Sequence, residues 1–185
     1  LAIVFGFLKH LFDCLTVGKS EAGVPIEQSI SSDETCARFL DHPFKISKTG
    51  KVLSNAFEPR RNNLDVSLVR MRYLTEDECH NRGLKVCRSE EDYRGYAELT
   101  PHLVKKIAGE EDVNADIVYS PMDEHGDYIM DGRQLTTASP GIPMHAGLIF
   151  PDISFVEGEA CPMKVRKFAK KLSQSVIVID FKKRK

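Results

Sequence analysis

A chain of 185 residues, 42% hydrophobic and 29% charged, has the composition of a soluble globular protein and the length of one domain with a real core. Five cysteines (Cys14, Cys36, Cys79, Cys87 and Cys161) are an odd count with no CxxC pair; a disulfide scaffold or a structural zinc site would want tighter, paired spacing, so reduced thiols in a cytoplasmic protein are the better reading. The net charge of −1 hides a segregation: residues 161–185 carry nine basic residues against Asp180 alone, a charge of +8, so residues 1–160 carry −9.

The first stretch, LAIVFGFLKHLFDCLTVG, is apolar but for Lys9, His10 and Asp13, which share one face at helical spacing. Its uninterrupted apolar run is far short of the ~20 residues that span a bilayer, so this amphipathic segment is expected to dock on the domain rather than enter a membrane. Residues 18–32 have the small, polar character of a linker. Removal of residues 1–28 is therefore expected to leave a folded protein. Ser31 and Glu34 then form a capping-box pattern for a short helix, DETCARFLDH, which has to stop before Pro43. KISKTGKVLSNAF reads as two extended pieces joined at Thr49–Gly50.

NLDVSLVRMRYL is the clearest strand. One face takes Leu64, Val66, Leu68, Arg70, Arg72 and Leu74, and the other takes Asp65, Ser67, Val69, Met71 and Tyr73. An arginine continuing an aliphatic face needs an anion, and an internal carboxylate or a bound ligand would each supply it. TEDECHNRG opens with Thr75 and Glu78 as a second capping box and closes at Gly83 as a C-cap. TPHLVKKIAG repeats that grammar, with Thr100 as N-cap, Pro101 in the first turn and Gly109 after the end. An extended ADIVYSPM precedes a hairpin expected to turn at Asp131–Gly132. HAGLIFP is a strand ending at Pro151. Pro162 opens the last helix, with Val165, Phe168, Ala169 and Leu172 as its apolar stripe, and VIVID closes the domain as a buried strand.

These elements predict a single α+β domain over residues 31–180, with a mixed or antiparallel sheet around residues 64–74, 115–122, 145–150 and 176–180. Residues 1–30 form the amphipathic segment and linker, and 181–185 a basic tail.

Chemistry-bearing patterns are few. The acidic stretch DEHGDYIMD lacks the glycine and distal glutamate of a calcium loop and reads as a solvated turn. No nucleophile elbow, phosphate loop, zinc-binding HExxH or dinucleotide fingerprint is present, so no cofactor or metal is expected. Cys79 and His80, adjacent on a helix, point about 100° apart. His145 is the best-placed candidate. It follows the rigid Pro140–Pro143 stretch and opens a strand, where a scaffold holds a side chain while loops admit ligand.

Three segments in succession, SNAFEPRRNNLDVSLVRMRYLTEDE, GYAEL and IPMHAGLIFPD with a lysine-rich helix after it, resemble a group of small uncharacterised bacterial proteins. In that group an AF.P…LSV.R segment precedes a short helix, a GRADL-like strand, and an HA.I segment before a terminal helix. The resemblance covers residues 36–179 and picks out Phe57, Pro59, Ser67, Arg70, Gly95, Ala97, His145 and Ala146. The chain departs from it at Tyr96, where a basic residue is usual, and at LIFPD, where a glycine–tryptophan–proline turn is usual. The group carries no assigned activity, so the resemblance implies positions and not a function.

Two classes of function stay open. The first is a bacterial cytoplasmic accessory or binding protein that engages an anionic partner, protein or nucleic acid, through Lys164, Lys167 and Lys171 of the basic C-terminal helix. The second is a small enzyme with His145 as general acid/base and Arg70 or Arg72 holding an anionic substrate. The first ranks higher, because no nucleophile, metal set or phosphate loop joins His145. A functional His145 is expected partly exposed in a pocket near Arg70 or Arg72, with one ring nitrogen facing open space; a structural one would have both nitrogens committed.

Overall fold

Six extended segments pair into one sheet. A computed structural model of the chain describes residues 23–59, 65–87, 89–154 and 160–181. The expected helix within residues 1–18 and the tail beyond residue 181 lie outside the described residues. The strands are β1 (Cys36–Asp41), β2 (Asp65–Arg70), β3 (Tyr93–Leu99), β4 (Asp116–Tyr119), β5 (His145–Ile149) and β6 (Ile177–Asp180). The helices are α1 (Glu76–Val86), α2 (Pro101–Glu110) and α3 (Met163–Ser175). The sheet order is β4-β5-β2-β1-β3-β6, and every neighbouring pair is antiparallel. The α+β expectation holds, with the sheet antiparallel throughout. Among the described residues no helix is long and apolar enough to cross a membrane.

The two faces of the sheet bury different things. On one, Cys36, Leu40, Val66, Leu68, Ala97, Leu99, Ala146 and Leu148 pack under α2 and α3 as the main core. The predicted stripe of α3, Val165, Phe168, Ala169 and Leu172, is fully buried there. On the other face a smaller cluster forms around Ala37, Val69, Cys79 and Tyr96, partly covered by α1.

Helix starts follow their caps. Thr75 Oγ1 accepts from the Glu78 amide and the Glu78 carboxylate accepts from the Thr75 amide, so both halves of the capping box are made. Thr100 caps α2 through the Leu103 amide, with Pro101 in the first turn. The expected ends were less accurate. α1 runs through Gly83 to Val86, because Gly83 is a packing position: a Cβ there would sit 2.4 Å from the Tyr93 ring. Gly109 likewise lies inside α2.

Several expectations are corrected. DETCARFLDH is strand β1, not a helix. Glu34 does not reach back to cap Ser31; its carboxylate is bound by Arg70, and Cys36, Arg38 and Leu40 alternate with Ala37 and Phe39 across the sheet. The chain leaves β2 in a 3-10 turn at Met71–Tyr73, so Arg72 does not continue the aliphatic face. The hairpin expected at Asp131–Gly132 has no ladder. The tight turn lies at Asp123–Asp127, where Asp123 Oδ1 accepts from the amides of His125 and Asp127, and Leu135 instead accepts from the Ile26 amide. β6 is an edge strand with Ile177 64% exposed, not a buried one. It approaches β3 at Gly95, where φ is +123° and a Cβ would lie 1.9 Å from the Ile179 carbonyl oxygen.

Residues 24–30 are part of the fold. Ile26 is buried against Leu135 and Met144, and the Glu27 and Ser29 carbonyls accept from Arg70. Truncation through residue 28 removes these contacts, so it is now expected to lower stability.

Arg70 itself is fully buried at the end of β2, opposite Cys36. Its guanidinium grips Glu34 at 2.5 and 2.9 Å, and its remaining donors take the two carbonyls. Glu34→Ala is expected to cost ~3–5 kcal/mol, read as a lower urea midpoint, because the guanidinium stays buried without its counter-charge. Arg70→Met with Glu34→Leu should recover only part of that loss, since the Glu27 and Ser29 carbonyls stay unsatisfied.

Candidate functional site

Strands β1 and β2 pair only at Cys36–Arg70 and Ala37–Val69. Beyond that they part, and backbone groups left between them need partners. Arg38 meets the need: Nε donates to the Ala56 carbonyl at 2.9 Å and Nη1 to the Ser67 carbonyl at 2.8 Å. The parting opens a cavity of about 300 Å³. Arg38, Asp65, Ser67 and His145 supply polar groups to its wall, Lys45 and Glu58 line it as well, and Phe39, Val69, Val86, Met122 and Ile142 form its apolar part.

β5 brings His145 to this cavity. Its register sets His145 opposite Val69 and Gly147 opposite Ser67, on the face away from α2 and α3. Residues from the loop after β4 wrap the ring. Nδ1 lies 2.6 Å from the Ser120 carbonyl oxygen and 3.0 Å from its hydroxyl. A carbonyl can only accept, so Nδ1 carries the proton and Nε2 presents a lone pair. The residue is 2% exposed, and among the described residues no group hydrogen-bonds Nε2. Burial lowers its pKa below the ordinary 6.5, with Arg38 adding to the effect; the Ser120 bond and Asp65 oppose it. The imidazole is therefore a neutral acceptor near neutrality.

Gly147 completes the geometry by what it lacks. A Cβ there would lie 2.3 Å from Asp65 Oδ2, so the Asp65 carboxylate occupies the space over the glycine. Asp65 Oδ1 accepts from the Tyr128 hydroxyl at 2.8 Å. Burial and the Asp65 carboxylate push the Tyr128 phenol up to about 12. The Tyr128 ring stands 6.2 Å from the His145 ring. Asp65, Ser67, Tyr128 and His145 thus gather at one patch of the sheet, with Arg38 beside them.

The other singled-out residues lie elsewhere. Arg70 is committed to Glu34 and the 24–30 segment, and Arg72 forms an exposed ion pair with Glu27 at 2.8 Å; neither lines the His145 cavity. The arginine that does is Arg38, hidden from sequence reasoning by the helix assigned over it. His145 lines the cavity, but it is buried rather than partly exposed, neither ring nitrogen faces open space, and neither Arg70 nor Arg72 lies beside it in the wall. On α3, Lys164 pairs with Asp112 at 2.6 Å and Lys171 with Glu110 at 2.6 Å, while Lys167 is exposed. Neither Asp65, placed only on a strand face, nor Tyr128 was singled out as a site residue. The available signal was Gly147 in mid-strand, which marks a close approach by another group. Among the described residues no cluster of His, Cys, Asp and Glu has the arrangement of a metal site.

The chain matches no protein-family model, and no curated protein or solved structure is significantly similar to it.

Two expectations follow from this geometry. The folded chain binds a proton at His145 less readily than the unfolded chain does. Its contribution to stability is complete above the unfolded pKa, ~6.5, and is lost as pH falls from there through the folded pKa, with a slope of up to ~1.4 kcal/mol per pH unit. Urea melts of His145→Gln across that window should lack this component. Separately, Gly147→Ala should displace the Asp65 carboxylate and break its bond to Tyr128, at ~1–3 kcal/mol, detectable as a lower melting temperature and a normalised Tyr128 titration.

Proposed function

We propose that this protein binds a small organic ligand in the cleft between β1, β2 and β5, with His145 among the polar residues of its wall. The observation that carries the reading is the cavity itself, where the parting strands bring Arg38, Asp65, Ser67 and His145 together beside an apolar wall. The cavity is at the small end of the range for ligand sites, and its mix of apolar wall and few convergent polar groups is typical of them.

A catalytic reading uses the same geometry. A neutral imidazole with its Nδ1 proton held by a carbonyl has its basic nitrogen at Nε2, and the lowered pKa keeps it unprotonated at neutral pH, though it also makes it a weaker base. Arg38, not Arg70 or Arg72, is then the arginine beside the reacting group. The alternative of an anionic partner on the basic helix draws less support, because Lys164 and Lys171 are already paired with acids at the end of α2 and just after it. Free thiols at Cys36, Cys79, Cys87 and Cys161 support a cytoplasmic setting, and the segment resemblance supports a bacterial one.

A fragment screen followed by amide NMR tests the reading. Binding fragments should perturb Phe39, Asp65, Ser67, Val69 and His145 together, and His145→Phe should weaken the polar ones. Perturbations confined to α3 would favour the basic-helix alternative. In that case nucleic-acid affinity should fall, and its salt dependence flatten, when Lys164, Lys167 and Lys171 are replaced together.

A further inference from the structure

We infer that α3 carries a second binding surface, separate from the cleft: a strip of Arg166, Lys167 and Lys170 that docks on the phosphate backbone of a duplex nucleic acid without reading its sequence.

The strip is what the ion pairs at the end of α2 leave over. The buried stripe of Val165, Phe168, Ala169 and Leu172 fixes which way the helix faces. At about 100° per residue, Lys164 and Lys171 fall together on one flank. There Asp112 holds Lys164 and Glu110 holds Lys171, each at 2.6 Å, and Glu111 adds a second contact to Lys171. Those two lysines tie α3 to the end of α2 and are not available to a partner. Lys167 and Lys170 instead fall on the crest, opposite the stripe and in line with Gln174. Arg166 stands on the other flank, on the side of the Cys161 thiol. All three cations are exposed, and among the described residues no carboxylate forms an ion pair with any of them.

The character of the strip selects its partner. Its charges have one sign and follow a convex ridge, so its complement is a surface of repeated negative charge. From Arg166 to Lys170 the helix rises ~6 Å, and a duplex carries one phosphate charge per ~1.7 Å of axis, so the strip covers about three phosphates. A protein partner calls for an aromatic or aliphatic anchor at the centre of the patch, where interfaces are poor in lysine. The crest offers only Met163, exposed at its N-terminal end. A bilayer calls for a free apolar helix face, and that of α3 is spent in the core. Single strands bind on aromatic platforms, and no aromatic side chain stands on the crest. Duplex backbone fits what is left. Lysine, arginine and glutamine on such a ridge reach phosphate oxygens, which hold a protein in place and carry no sequence information.

The test is fluorescence anisotropy of a labelled mixed-sequence DNA duplex of about 20 base pairs, titrated with the full chain from ~25 to ~200 mM KCl. The native chain is expected to bind at low salt, and duplexes of different sequence should bind alike. Arg166→Gln, Lys167→Gln and Lys170→Gln together should flatten the plot of log affinity against log salt by ~2.7, three contacts at ~0.9 each. The melting temperature should not move, since none of the three is paired within the fold. Lys164→Gln with Lys171→Gln should change the slope by less than one contact. The effect of the triple variant should persist in a chain lacking residues 182–185. No binding at the lowest salt, or a triple variant with the native slope, overturns the inference. So does loss of binding on removal of residues 182–185 alone. Tighter strip-dependent binding to single-stranded DNA, to poly-glutamate or to phosphatidylserine vesicles overturns the duplex assignment. Amides of Phe39, Ser67 and His145 should stay in place as the duplex binds. Shifts there in place of α3 would overturn the separate surface, and the small-ligand reading of the cleft stands or falls on its own test.

Discussion

The site depends on a separation. β1 and β2 are adjacent strands that share only two residue pairs, and the carbonyl groups exposed by their divergence cannot be buried unsatisfied. Arg38 supplies the donors. A guanidinium suits this position because it is planar and always charged and has several fixed N–H directions, so one side chain reaches carbonyls on two segments. Were β1 and β2 zipped along their full length, Phe39 would face Ser67 across the ladder and no cavity would lie between the strands. The cavity is therefore a product of strand geometry held open by one side chain.

Glu34 and Arg70 do comparable work at the other end of the same strand pair. Their ion pair is buried, bidentate and backed by two carbonyls, and it ties residues 27 and 29 to the end of β2. Such a pair adds less to stability than its distances suggest, because both charges have left water. Its value lies in position. It fixes where the chain enters β1, and hence the register Cys36–Arg70 from which the strands diverge.

Local rules served well where local physics decides. The caps at Thr75 and Thr100, the proline in the first turn of α2 and the four-residue stripe of α3 were all legible, because each is settled within a few residues. The region from Ser31 to Asp41 was not. Ser31 and Glu34 have the spacing of a capping box, yet Glu34 is claimed by an arginine 36 residues away, and a central strand position outweighs the local helix signal. β3 was visible only through the segment resemblance, since its alternation is blurred by being buried on both faces. At the site, the place of His145 after two prolines at the head of a strand was readable. Arg38, Asp65 and Tyr128 were not, because they reach the site from segments far from it in sequence, and no pattern in any of those segments announces the meeting.

The sheet also acts as a partition. The main core lies on the face under α2 and α3, while most of the cavity wall belongs to the opposite face and to the segments that cross it. Val86 at the end of α1 and Met122 and Ile142 in the long β4–β5 connection shape the cavity without belonging to the main cluster. Replacing them reshapes the cavity and leaves the principal packing layer intact. The shape of the cavity is thus set by a helix end and one loop, while the main packing of the fold lies on the far side of the strands.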